Sequence, residues 1–292
     1  MPVLNEERYL ADAVHSIFEQ DLDGEREVVL AIGPSHDRTE EIARELAKKL
    51  PIQIVSNPTG NTSAALNAAI KVAKHEVVLR VDAHAKLSPG YAKLAVQILN
   101  QTGADNVGGI MRAVGETPFQ RAVAYAYNSP VGLGSANFHV GGEAGRSDSV
   151  YLGVFRRTAF DQYGFFDETA VRGQDWELNR RINDGGGMVW FDPRLEVTYL
   201  PRSSVSKLTK QFFHTGRWRA QLVKKYGGSL RYYIPPVLVL STLLVVPTVI
   251  YLAAIILFAL AVRKPLLVLV LPTMHYAWGI GFLVGAKKPS GR

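Results

Sequence analysis

The chain has 292 residues, 47% hydrophobic and 20% charged, a balance that suits a folded protein and excludes an intrinsically disordered one. It contains no cysteine, which excludes disulfides, zinc–thiolate centres and thiol nucleophiles. A net charge of +7 raises nucleic acid as a partner, but no recognition motif accompanies the charge and no nucleic acid is expected.

Taken in chain order, residues 1–9 hold no apolar run of the secretory type. Glu6 to Gln20 spaces Tyr9, Leu10, Ala13, Val14, Ile17 and Phe18 on one helical face. Glu27 to Ile32 reads as a strand ending in the turn Gly33-Pro34. Thr39 to Leu50 returns to helical period, Ile52 to Val55 is a strand and Ser63 to Ala73 a helix. Glu76 to Val81 is again a strand and Leu87 to Asn100 a helix. This alternation predicts an α/β fold with a mainly parallel sheet flanked by helices. One member is missing: a leading strand should precede the first helix, yet the sequence opens at Met1-Pro2. Without it, an edge that ought to be central stands open. Either the start lies upstream of Met1 or the chain compensates in some other way.

Further on, Gly108-Gly109 suits a strand end where backbone approaches closely. Gly132 to Ser149 is a long polar, Gly- and Ser-rich stretch of the kind that serves as a mobile functional loop. The expected organisation is a catalytic domain over 1–205, a basic amphipathic membrane-surface segment over 206–233, and two transmembrane helices with a short basic tail over 234–292. Ile234 to Val262 carries no charged residue, and neither does Pro265 to Ala286. Each exceeds the roughly 20 residues needed to cross a bilayer core, so a transmembrane hairpin is expected. Pro235, Pro236, Pro247 and Pro272 weaken these helices and leave a re-entrant or interfacial pair as the alternative. Lys207, Lys210, Arg217, Arg219, Lys224, Lys225 and Arg231, with Lys287, Lys288 and Arg292, flank the apolar pair. The positive-inside rule puts them in the cytoplasm, at the plasma membrane.

Two short motifs carry chemistry. Asp82-Ala83-His84 leaves the strand ending at Val81, at the C-terminal sheet edge where open α/β folds bind ligands, and residues two apart there can share a face. Gln174-Asp175 opens a polar segment in which Asp175 suits either a helix N-terminus or a catalytic carboxylate.

With these, Pro2-Val3-Leu4-Asn5-Glu6-Glu7, Ser35-His36-Asp37-Arg38-Thr39 and Asn57…Asn67 occur in the order that resembles family 2 glycosyltransferases. Arg80 to Ala85 and Asp148 to Arg157 look like the membrane-associated branch of that family, and the likeness covers roughly residues 1–230. The resemblance implies the GT-A fold and an inverting, metal-dependent transferase. It implies a nucleotide-sugar donor, UDP-glucose first, and a lipid-linked saccharide acceptor in cell-surface polysaccharide biosynthesis. Asp175 is then the base that deprotonates the acceptor hydroxyl, with Glu177 in reserve. Asp82 and His84 would hold Mn²⁺ or Mg²⁺; the family usually has Asp-x-Asp, and the imidazole favours Mn²⁺. Pro2, Val3, Glu6, Ser35, Asp37, Asn57, Asn67 and Asp82 match nucleotide-sugar positions. Ser35, Asp37, Asn57 and Asn67 serve equally well as turn and cap residues. Ile32-Gly33 stands where the family carries an acidic pair, so the usual carboxylate contact to uracil is absent. Arg156-Arg157 suits a diphosphate contact or a strand end. Gln211 to Trp218 echoes the segment of processive relatives at a longer spacing, which argues against a polymer synthase. Transfer to polyprenyl phosphate itself, or a non-catalytic nucleotide-sugar-binding protein, are the alternatives.

Overall fold

The structure, a computed structural model, describes residues 1–22, 24–170 and 172–287; Lys288 and Arg292 of the basic tail lie outside the described residues. The chain divides into two compact units.

The first unit comprises Met1–Arg112 and Gly141–Tyr199. It opens with β1 (Pro2–Val3), α1 (Leu10–Phe18), β2 (Val28–Ile32), α2 (Thr39–Ala47), β3 (Ile52–Ser56), α3 (Thr62–Val72), β4 (Val77–Leu79), β5 (Lys86–Leu87) and α4 (Tyr91–Thr102). The predicted alternation is present with boundaries shifted by a few residues, as fraying ends and turn chemistry dictate. The last helix, for instance, begins only after Ser88-Pro89-Gly90, where Gly90 takes the left-handed conformation. β1, β2 and β3 form a parallel three-stranded sheet in which Pro2 pairs with Ala31 and Val3 with Ile32. A leading strand therefore exists, as a two-residue stub.

The mainly parallel sheet is not what forms. A six-stranded sheet runs β4-β8-β6-β9-β5, with β7 on β9, adding β6 (Asn106–Ala113), β7 (Gly145–Arg146), β8 (Tyr151–Arg156) and β9 (Val189–Tyr199). Every pairing of defined register in it is antiparallel. The helix-crossover pattern that forces parallel pairing ends with α4; later strands are free to pair antiparallel. β6 shifts register against β8 between Val107 and Gly109, and Gly109 lets β9 come close on the other side, since a Cβ there would lie 1.8 Å from Leu195 O. α8 (Arg157–Tyr163) and α9 (Gln174–Asp184) cover this sheet. The core joins Leu30, Ile98, Leu99, Val107, Leu152, Val154 and Leu195.

The second unit comprises Ala113–Val140 and Leu200–Arg292. It holds α5 (Pro118–Tyr127), α6 (Pro130–Leu133) and α7 (Asn137–Val140). After β9 come α10 (Val205–Tyr226), a 3₁₀ turn (Leu230–Tyr233), α11 (Ile234–Ser241), α12 (Val245–Ala261) and α13 (Leu267–Ala286). The stretch read as one polar loop, Gly132 to Ser149, thus carries α7 and β7. α5 starts on a full capping box, Thr117 with Gln120, and a proline at its first position. α10 is amphipathic, and its buried stripe of Leu208, Phe212, Gly216, Ala220 and Val223 lies against α13. The backbones nearly touch: a Cβ on Gly216 would lie 2.0 Å from Trp278 O, on Gly281 2.0 Å from Phe213 O, and on Gly285 2.2 Å from Arg217 O. Small residues spaced four apart allow this approach between helices.

Among the described residues α13 is the one helix long and apolar enough to cross a bilayer by itself, so the expected hairpin is matched in one member; in the other, the 3₁₀ turn and α11 meet α12 at a 119° bend. Leu244 is extended there, and Pro247 sits in the first turn of α12, where the missing N–H is tolerated and a new helix starts. Leu243, Leu244, Val245, Val246, Ile250 and Leu257 on this bend are exposed, Leu243 at 84%.

Candidate active site

The C-terminal ends of β1 and β4, in the first unit, bring the charged residues together. Arg80 follows β4, and by strand alternation it faces the same way as Asp82. Its guanidinium is 6% exposed and forks between two carboxylates. Nη2 donates to Asp82 Oδ1 at 3.0 Å, and Nη1 donates to Asp175 Oδ1. Asp175 lies in the first turn of α9, after Gly173 in the left-handed conformation, where the helix dipole favours a negative charge. Residues distant in sequence thus share one cation. His84 Nδ1 lies 2.8 Å from Glu6 Oε1, which links the β1 loop to the same edge.

The electrostatics differ between the two aspartates. Burial pushes the Asp82 carboxyl upward, but Arg80 and His84 more than offset this and hold it below the usual carboxylate range. Burial pushes Asp175 upward too; Arg80 opposes this, the charge of Asp82 reinforces it, and the net shift is upward. Tyr151, at the start of β8, is held well above its ordinary value by burial and by the charge of Asp82, so its hydroxyl stays neutral beside the cluster. Arg80 and Tyr151 are the site residues that motif reading passed over as site residues. The signal for Arg80 was its i−2 spacing from Asp82; Tyr151 had none.

Glu177, the reserve base, is 1% exposed and held by Arg181, whose Nε donates to it at 2.7 Å. Pro2 and Val3 form the β1 ladder. Ser35 and Asp37 tie two loops together: Asn5 N donates to Ser35 Oγ at 3.0 Å, and Glu7 N to Asp37 Oδ2 at 3.2 Å. Asp37 Oδ1 also accepts from Thr39 N at 3.1 Å, opening α2. The Thr39 hydroxyl also donates to Asp37 Oδ1, at 2.5 Å, and is the main cause holding the Asp37 carboxyl below its ordinary value. Asn57 Nδ2 donates to Asn61 O at 3.1 Å, within its own turn. Asn67 Nδ2 donates to Phe166 O at 2.9 Å and its Oδ1 accepts from Phe166 N at 3.0 Å, stapling α3 to the 165–170 segment. Arg156 and Arg157 donate to the C-terminal carbonyls of α4 and α3, Leu99 O and Ala73 O among them. Glu6, Arg80, Asp82, His84 and Asp175 therefore form the cluster, while Ser35, Asp37, Asn57 and Asn67 hold its framework.

Among the described residues no group of three or more His, Asp or Glu side chains is arranged to enclose a metal ion. Asp82 and His84 remain partly open to solvent, at 20% and 42% of their side chains. Two open protein ligands at one edge fit a divalent ion that takes its other oxygens from a diphosphate and water, the usual habit of such ions in phosphate sites.

The chain matches the family model "Glycosyl transferase family 2" over residues 1–164. It is 31% identical to the succinoglycan biosynthesis protein ExoA of Rhizobium meliloti (strain 1021), over 97% of this chain and 92% of that protein. It is 26% identical to a dolichyl N-acetyl-alpha-D-glucosaminyl phosphate 3-beta-D-2,3-diacetamido-2,3-dideoxy-beta-D-glucuronosyltransferase of Methanococcus voltae, over 80% of this chain and 76% of that one. Among solved structures, the mannosyltransferase PcManGT of Pyrobaculum calidifontis, in complex with GDP-Man and Mn²⁺, shares the fold at a TM-score of 0.68. The identity there is 18%, over 99% of this chain and 86% of that one. S. aureus TarS 1–349 in complex with UDP shares it at 0.55 and 17%, over 97% and 88%. Family model and near full-length relative agree: the chain is a glycosyltransferase and belongs to glycosyl transferase family 2.

Proposed function

We propose that this enzyme transfers a sugar, with inversion, from a nucleotide-sugar donor to a polyprenyl-linked saccharide during polysaccharide biosynthesis. The observation that carries the reading is the fork of Arg80 between Asp82 and Asp175. It brings the carboxylate of Asp175 beside the edge that carries Asp82, which supports the pairing of proton acceptor and donor site that a single-displacement transfer needs. Asp175 takes the proton of the acceptor hydroxyl as its oxygen attacks the anomeric carbon. The bond from that carbon to the diphosphate breaks, and the diphosphate leaves with the electron pair. Asp82 and His84 would hold Mn²⁺ or Mg²⁺, which when bound supplies neutralisation of the leaving diphosphate. Arg80 keeps Asp175 ionised and aimed, and Tyr151 stays neutral beside it.

UDP-glucose is the first donor to test. The neighbours with UDP and with GDP-Man make both bases reasonable candidates, and no acidic residue stands at Ile32-Gly33 to select uracil. The acceptor class rests on the ExoA and dolichyl-linked relatives. The exposed apolar bend of the C-terminal helices supports a membrane location, and the basic residues of α10 support a cytoplasmic orientation at the plasma membrane.

The test is a panel of UDP-, GDP- and dTDP-sugars, assayed for binding and for transfer to polyprenyl-linked saccharides with Mn²⁺ present. One donor that binds and is turned over onto such an acceptor supports the reading. Turnover onto polyprenyl phosphate alone would replace the acceptor, and binding without turnover would leave a nucleotide-sugar-binding protein.

A further inference from the structure

We propose that the second unit is seated in one leaflet of a bilayer: its α11–α12 bend dips in and returns, while α13 stays at the surface beside α10. The inference rests on the membrane location proposed above and adds its topology. Length alone would let α13 cross, but its neighbours decide otherwise. Gly281 meets Phe213 O and Gly285 meets Arg217 O. Both contacts advance by four residues in the same sense, so α10 and α13 run parallel. That register sets Lys207 and Lys210 level with His275 and Trp278, halfway along α13. Lys207, Lys210 and Arg217 are exposed on α10. A spanning α13 would carry all three into the hydrocarbon, where a charge is strongly disfavoured. Lys207 and Lys210 would lie about 15 Å from either surface, too deep for a lysine to snorkel out. The other flank suits lipid no better. α5 and α6 pack on α13, and His275 Nε2 lies 2.8 Å from Val131 O. Leu267, Val270, Leu271 and Met274 are fully buried, as in the core helix of a folded unit.

The bend has the opposite character. Leu243, Leu244, Val245 and Val246 at its tip are apolar and exposed. α11 has 8 residues and is about 12 Å long, far short of a bilayer core of about 30 Å. The chain then turns into α12, whose 17 residues make about 25 Å of helix. At 119° to the direction of α11, that helix runs back by about 12 Å. Descent and return match, so Arg263-Lys264 comes back to the level of Arg231. At the break Leu243 N donates to Leu240 O at 3.2 Å and Leu244 N to Ser241 O at 2.9 Å. Backbone at membrane depth requires such internal pairing. Charge names the partner as an anionic leaflet. Residues 197–292 hold 13 lysines and arginines and no aspartate or glutamate. Basic side chains flanking an apolar insertion fit lipid phosphates at one surface.

The sequence has no cysteine, so single cysteines report one position each. Lys210→Cys, Leu244→Cys, Arg263→Cys and Lys287→Cys are made in the full chain. Right-side-out and inverted membrane vesicles from cells producing them are treated with a membrane-impermeant maleimide. Positions 210, 263 and 287 should label from one and the same side, and position 244 only after detergent is added. Labelling of 263 or 287 from the side opposite 210 shows a span and overturns the proposal. Protection of 263 or 287 until detergent is added sets them at membrane depth and overturns it too. Labelling of 244 in intact vesicles takes the bend out of the bilayer, with the same consequence. A protein missing from the membrane fraction overturns both this topology and the membrane location beneath it. In a second arm, purified protein should bind vesicles of phosphatidylcholine with added phosphatidylglycerol at least about tenfold more tightly than phosphatidylcholine alone. Lys207→Gln combined with Lys210→Gln should shrink that preference, and equal binding to both vesicles contradicts the anionic partner. None of these readouts depends on donor or acceptor.

Discussion

Arg80 stands between two carboxylates, so it governs both the charge of the pocket and the orientation of Asp175, the proposed base. Taking it away leaves Asp82 and Asp175 facing each other with no shared cation. Arg80→Ala should destabilise the first unit by on the order of 3 kcal/mol, the cost of breaking a buried pair by removing one partner. Arg80→Lys keeps the charge but not the fork, and should recover part of that loss while kcat stays depressed; urea denaturation with steady-state kinetics separates the two effects. Because Asp175 is raised above the usual carboxylate range, the acid limb of kcat should lie above that of an ordinary aspartate, with activity falling as pH drops through it. For stability the signs oppose. Asp82, depressed in the folded state, contributes above its unfolded value and loses that contribution as pH falls through its folded value. Asp175, raised in the folded state, contributes least once pH exceeds its folded value. Replacing Asp82 by Asn should therefore flatten the acid-side fall of stability in a pH series of urea titrations. Asp82, His84, Glu6 and Asp175 were readable from sequence because motif order singles them out. For Ser35, Asp37 and Asn67 the sequence left framework and ligand roles equally open, since a side-chain amide or hydroxyl reads the same whether it meets a ligand or a loop; the structure shows their framework bonds.

At the scale of elements, glycine sets the closest approaches. A Cβ at Gly281 would fall on Phe213 O and one at Gly285 on Arg217 O, so α10 and α13 cannot keep their distance with a side chain there. Gly281→Leu should lower the melting temperature of the detergent-solubilised protein by roughly 5 °C or more, by forcing apart two packed backbones; an unchanged melting temperature would mean that the helices do not pack this way. The helices and strands before residue 102 were legible because their apolar period is regular. The position of the break at Leu243-Leu244 was not, because the uncharged run from Ile234 to Val262 offers no change of period. The prolines left a re-entrant pair open, and Ser241-Thr242 stands just before the break, but each reads equally as a tolerated feature of a continuous helix.

At the scale of the whole molecule, the unexpected feature is that Ala113–Val140 folds with the C-terminal helices. α5 carries Tyr127 into an edge-on contact with Phe212 of α10, and Gln120 Nε2 donates to Pro201 O at 3.0 Å. A chain cut after Tyr199 should therefore expose the apolar side of α5 and elute from size exclusion as aggregate; a monomeric, soluble fragment would contradict that arrangement. Such pairing between distant segments has no signature in a single sequence. The charged cluster is marked by two short motifs, which is why its members, Arg80 apart, stood out in the sequence before the architecture around them. The central claim, that Asp175 acts as the base while Asp82 serves the donor, is tested most directly by measuring donor affinity and single-turnover transfer on the same preparations of wild type, Asp82→Ala and Asp175→Asn. The account predicts that Asp175→Asn binds donor within a few-fold of wild type and transfers at least about 10²-fold more slowly, while Asp82→Ala loses donor binding. Transfer by Asp175→Asn at the wild-type rate would contradict it.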